Sequence, residues 1–122
     1  YMATILPEYS EANGNMVELI ICNNDGMAEG AVSALQGAGY NTGDGKTIPV
    51  FGVDATDSAK QLINEGKMTG TIKQDAEGMA STILNLVSSV QGGGELMDNT
   101  SSFNVDEGVA KIRVPYATYT GE

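Results

Sequence analysis

The chain reads as an α/β domain built on a parallel sheet flanked by helices. The clearest sign is Val17–Leu35, VELIICNNDGMAEGAVSAL. There an apolar run, Leu19 to Cys22, stops at Asn23-Asn24-Asp25 and gives way to a helical pattern of Met27, Ala28, Ala31, Val32 and Leu35. The same sentence is spoken again by Ile48–Val53, which ends at Asp54 and leads to Ala59, Leu62 and Ile63 at helical spacing. It recurs once more in Thr69–Lys73, which runs into Gln74-Asp75 and a longer helical pattern. Strands alternating with helices imply a parallel sheet covered on both faces.

In order, residues 1–12 predict a helix interrupted near Pro7, which has no N–H to give. Asn13-Gly14-Asn15 is a turn. Val17–Cys22 predicts a fully buried strand, because its apolar run is continuous rather than alternating. Its helix opens near Asp25, a good N-cap, and stops at Gly37 or Gly39. Residues 40–47 form a glycine-rich loop. Gly45-Lys46-Thr47 resembles the end of a phosphate-binding loop, but the first glycine of that loop falls on Tyr40 and a strand follows where a helix is needed. After the strand at Ile48–Val53, Thr56 or Asp57 caps a short helix closed by Gly66. A β-branched strand covers Thr69–Lys73. The next helix, about 77–90, carries Ala80, Ile83, Leu84, Val87 and Val90 as a packing face and ends at Gly92-Gly93-Gly94. An extended segment at 99–105 and a strand at 109–114 complete the prediction.

At 122 residues the chain fits one modest domain. Sixteen acidic against six basic residues give a net charge of −10. That balance opposes contact with phosphate backbones or anionic lipid, both of which need Lys/Arg clusters. The single Cys22 allows no intrachain disulfide, and with no His in the chain it is no credible catalytic thiol. No apolar stretch approaches the ~20 residues of a membrane-spanning helix. The chain starts at Tyr1 with apolar residues already at helical spacing, which suggests a piece of a longer polypeptide.

Three successive strands thus end in amides and carboxylates: Asn24 and Asp25, Asp54, then Gln74 and Asp75. In open α/β sheets such carboxyl ends bind small ligands, and these groups can exchange hydrogen bonds with the hydroxyls of a sugar or polyol. The competing role is helix capping, which suits Asp25 and Asp75 better. Asn24, Asp54 and Gln74 precede the caps and are the ligand candidates. Acid–base chemistry by Asp54 with Asp25 or Asp75 is a minor alternative. Neither a Cys/His cluster nor an EF-hand loop occurs in the sequence.

The stretches ELIICNNDGMAEGAVSAL, IPVFGVDAT, LINEGKMTGTIKQDAEGMA and KIRVPY, in that order, resemble the C-terminal part of the galactose/glucose-binding proteins. These are extracytoplasmic solute receptors of sugar ABC transporters and of sugar chemotaxis, and the likeness spans most of residues 17–117. It implies the C-terminal fragment of a two-lobed type I periplasmic-binding-protein fold. Residues 1–74 would belong to the C-terminal lobe, 75–110 to a crossing and the other lobe, and 111–122 to the return crossing.

The resemblance also implies roles. Asn24, the second Asn of NND, and Asp54, the Asp of FGVDA, would hydrogen-bond sugar hydroxyls. Gln74 stands where the family has Asn, keeping the amide on a longer stem. Glu18 matches a calcium-binding Glu that acts only with an upstream loop, so calcium is expected in the full-length protein and no cofactor in this chain. The implied partners are a monosaccharide, galactose or glucose, the membrane permease, and the upstream remainder of the receptor. No catalysis and no nucleic acid are expected. The alternative is the effector-binding core of a sugar-responsive lactose-repressor-type regulator, which shares the fold.

Overall fold

The computed structural model describes residues 1–106 and 108–121. The chain divides into two compact units: Tyr1–Lys73 with the segment from Ala117 onward, and Gln74–Tyr116. Residues 111–116 fall within the second unit.

The first unit holds a four-stranded sheet. Its strands are β1 (Ile20–Ile21), β2 (Val50–Val53), β3 (Gly70–Lys73) and β6 (Ala117–Tyr119), in the order β1-β2-β3-β6. β1, β2 and β3 run parallel, with Ile20 opposite Val50, Ile21 opposite Phe51 and Phe51 opposite Gly70. β6 is antiparallel to β3, an edge strand that the sequence did not announce. It carries only Ala-Thr-Tyr, too short to show a period.

Helix α1 covers only Met2–Ile5, followed by turns and a short 3-10 turn at Glu11–Asn13. Pro7 explains why the predicted helix over 1–12 stops early. The buried Leu6 still anchors this segment in the core. Helices α2 (Asp25–Gly37) and α3 (Asp57–Asn64) bury Ala28, Ala31, Val32, Leu35, Ala59 and Ile63. With Cys22, Ile48, Val50 and Met68 these make the core. Asn41, fully buried at φ 51°, staples the 40–47 loop. Its amide donates to the carbonyls of Ile48 (2.8 Å) and Lys67 (3.0 Å), and its oxygen accepts from Ile48 N (2.8 Å). Lys46 is engaged by Glu11 at 2.7 Å.

The first strand is shorter and more exposed than predicted. The ladder starts only at Ile20, whose N–H donates to the carbonyl of Pro49, and Pro49 has no N–H to extend it backwards. Leu19 is 52% and Ile21 76% exposed, so β1 is not fully buried. Alternation decides this: Cys22 and Val50 face the helices, while Leu19, Ile21 and Phe51 lie on the opposite face. That face is open in this chain. Met27, predicted on the packing side of α2, is exposed as well.

The second unit consists of α4 (Ala76–Gln91) and an antiparallel pair, β4 (Asn104–Val105) with β5 (Ile112–Arg113). Between them a loop returns along α4, held by Asn85 to the carbonyl of Asn99 (3.2 Å) and by Ser89 to that of Asp98 (3.1 Å). Thr82 is the buried residue of α4. Ile83, Leu84, Val87 and Val90, predicted as a packing face, are exposed. Their spacing specifies a face that wants cover, not what covers it.

Candidate functional site

Asn24 lies three residues past the end of β1, and Asp54 directly follows β2. Because those strands are parallel neighbours, both residues stand at one edge of the sheet, and both are exposed. The helix cap expected at Asp25 is supplied by its neighbour. Asn24 is itself the N-cap of α2, its side-chain oxygen accepting from Met27 N at 2.9 Å. Its backbone is extended (φ −151°), which turns the chain from strand into helix. With the oxygen engaged by the cap, the amide nitrogen is the part of Asn24 suited to a ligand oxygen.

Asp25, expected as the cap, is instead fully buried. One carboxylate oxygen accepts from the Thr71 hydroxyl at 2.5 Å, and the other from Thr56 N at 2.8 Å. Gly52 makes this burial feasible. A Cβ there would collide with the Asp25 carboxylate and lie 3.1 Å from Asp25 Cα. Burying a carboxylate is costly unless hydrogen bonds replace its water, and here they do.

Asp54 sits at φ 118° and Ala55 at φ 54°, two consecutive non-glycine residues with left-handed backbone. Such residues cost roughly 1–3 kcal/mol each and persist only where surroundings hold them. Three successive amides are secured: Asp54 N to the carbonyl of Ile72 (2.8 Å), Ala55 N to Thr71 Oγ1 (3.3 Å), and Thr56 N to Asp25. Thr56 then caps α3 through Ala59 N at 3.2 Å. Beside it, Ser58 donates to Glu29 at 2.5 Å, linking the starts of α3 and α2.

Gln74 follows β3 and is the first, exposed residue of the second unit. Asp75 caps α4, accepting from Gly78 N at 3.0 Å. A cleft of about 590 Å³ in this unit is lined by Gln74, Met79, Asn104, Lys111, Arg113 and Tyr116, among others. Arg113 is paired to Asp106 at 2.6 Å.

Glu18 is exposed just ahead of β1. Among the described residues no group of three or more His, Cys, Asp or Glu side chains could hold a metal ion. Glu18 offers one carboxylate, whereas calcium takes six to eight oxygens. Cys22 is buried, and burial pushes its thiol up from the ordinary value, away from the reactive thiolate. Among the described residues no helix is long and apolar enough to cross a membrane.

Sequence reasoning missed Thr71 and the structural use of Asp25. Thr71 sits inside a β-branched strand run and looks like strand propensity alone. Gly52, in mid-strand, was the available signal, since an isolated strand glycine often marks close approach by another group.

Comparison with known proteins agrees with this architecture. The chain is 35% identical over 107 residues to the D-galactose/methyl-galactoside binding periplasmic protein MglB of Haemophilus influenzae, covering 88% of this chain and 30% of that protein. It is 28% identical over 95 residues to the D-allose-binding periplasmic protein of Escherichia coli, covering 76% of this chain and 29% of the relative. Among solved structures, an ABC transporter solute-binding protein from Burkholderia multivorans superposes with a TM-score of 0.66 at 24% identity. That likeness concerns the fold, and covers 98% of this chain and 35% of the other. The chain thus spans about a third of the length of these relatives, which by name are binding proteins rather than enzymes. Residues 1–95 match the family described as periplasmic binding protein domain, and the chain belongs to that family.

Proposed function

We propose that this chain is the C-terminal part of an extracytoplasmic receptor that captures D-galactose or D-glucose and delivers it to the permease of an ABC transporter. One observation carries the reading: Asn24 and Asp54 stand exposed at the carboxyl ends of adjacent parallel strands. An amide donor and a carboxylate acceptor at that edge suit the hydroxyls of a pyranose. Galactose is supported by the relative named for D-galactose and methyl-galactoside, and glucose by the sequence motifs alone. Other relatives are named for D-allose and for multiple sugars, so the epimer rests on that single likeness.

In this reading residues 1–74 belong to the C-terminal lobe and 75–110 to a crossing and the other lobe of the full-length receptor, and Gln74 adds an amide to the sugar contacts. Sugar bridging the lobes shifts the population toward a closed form that the permease, or a chemotaxis receptor, recognises. Glu18 contributes one carboxylate to a calcium site completed upstream. The repressor-core alternative shares the fold, but the relatives named above are periplasmic binding proteins, which favours the receptor.

Calorimetry on the full-length receptor carrying Asp54→Ala tests the assignment. Losing a charged acceptor for a sugar hydroxyl should weaken binding by about 10- to 100-fold. Unchanged galactose and glucose affinity would remove Asp54 from the site.

A further inference from the structure

We propose that Asp25, acting with Thr71, is a positioning residue that sets the orientation of Asp54 and thereby the affinity for sugar. The inference rests on the receptor reading above, and adds a buried pair that does not touch ligand.

The left-handed backbone at Asp54 and Ala55 is not self-sustaining, because side chains disfavour it. Its backbone amides are secured by two other elements. From β3 come the carbonyl of Ile72 and the Thr71 hydroxyl, which receive the amides of Asp54 and Ala55. From the first turn of α2 comes Asp25, which receives the amide of Thr56 and the proton of the Thr71 hydroxyl. The Thr71 hydroxyl thereby donates and accepts at once, and the carboxylate orients it. Asp25 also adjoins Asn24 in the chain, so one buried group ties the two exposed candidates to a common frame. Gly52 keeps the space for it open.

The obvious objection is that the pair merely stabilises the fold. A double-mutant cycle in the full-length receptor separates the two roles. Thr71→Val keeps the shape and deletes the hydroxyl, and Thr71→Ser restores it. Galactose and glucose affinities are measured by calorimetry and folding by thermal melting, alone and in the Asp54→Ala background. Thr71→Val should weaken binding about tenfold in the presence of Asp54 and less than about twofold in its absence, the non-additivity expected of residues acting through one another. Thr71→Ser should stay within about threefold of wild type.

Should Thr71→Val not fold, Asp25→Asn enters the same cycle. Its amide can serve Thr56 or take the hydroxyl proton, but not both, and the same pattern is expected. Full affinity in a folded Thr71→Val or Asp25→Asn receptor overturns the proposal. So does an equal loss with and without Asp54. If Asp54→Ala alone leaves binding intact, it is the sugar assignment of Asp54 that fails, a different result from either of these.

Discussion

At Asp54 the side chain that suits a ligand is carried by a backbone that suits glycine. Gly reaches φ 118° without the steric cost that a side chain meets there. Asp54→Gly in the full-length receptor relieves the backbone cost but removes the carboxylate, so stability is expected to stay within about 1 kcal/mol of wild type in urea unfolding while sugar binding weakens. A clear loss of stability would show that the carboxylate, rather than ligand demand, holds the turn. Cys22 illustrates the reverse case, a reactive residue type made inert by its surroundings. Its raised pKa keeps the thiol protonated through neutral pH, and the penalty on the thiolate is felt only as the pH climbs toward and past its ordinary value. Alkylation of native protein at pH 7.5 (about one unit below an ordinary thiol pKa) should be slow and should accelerate on adding denaturant. Rapid native alkylation would contradict the burial.

Each helix of the βα units starts from a side-chain cap placed within a few residues of a strand end. Asn24, Thr56 and Asp75 cap α2, α3 and α4. Strand end, candidate ligand group and cap are crowded into the same short stretch, and Asn24 is both candidate and cap. Asn24→Ser retains an acceptor for Met27 N and loses the amide nitrogen, whereas Asn24→Ala loses both. The serine variant should melt near wild type and the alanine variant should lose about 1 kcal/mol, with sugar affinity reduced in both. Equal affinity of the serine variant and wild type would confine Asn24 to capping. Gly52→Ala tests the packing of the same elements. Its Cβ would meet Asp25 and the end of Met68, so about 1–3 kcal/mol of destabilisation is expected in chemical unfolding.

On the scale of the whole chain, two sets of apolar side chains find no cover. Leu19, Ile21 and Phe51 lie on the open face of the first unit's sheet, and Ile83, Leu84, Val87 and Val90 lie along α4 in the second. Burying such groups is what normally stabilises a sheet or an amphipathic helix. The 122-residue chain by itself should therefore bind a hydrophobic dye such as ANS and show concentration-dependent association in sedimentation. It should also bind galactose or glucose weakly or not at all, because most of the length of its relatives is missing. A monomer without dye binding, or one with micromolar sugar affinity, would contradict these expectations.

Much of this molecule was readable from residue order alone. Apolar runs ending in amides and carboxylates, each followed by a 3.6-residue pattern, were enough to place β1–β3, α2–α4 and the edge where Asn24 and Asp54 stand. Those signals are local, since hydrophobic period, cap chemistry and glycine stops act within a few residues. Legibility ended wherever partners are distant in sequence. Whether Asn24 or Asp25 caps α2 depends on Thr56 and Thr71, which lie 31 and 46 residues from Asp25. The exposure of Ile21 depends on which sheet face the helices take, and β6 exists only because β3 offers it an edge. Continuous apolar runs and single hydroxyls look alike whether they end up packed, bonded or open. Only the contacts formed on folding distinguish them, because burial and hydrogen-bond satisfaction belong to pairs of groups rather than to any residue alone.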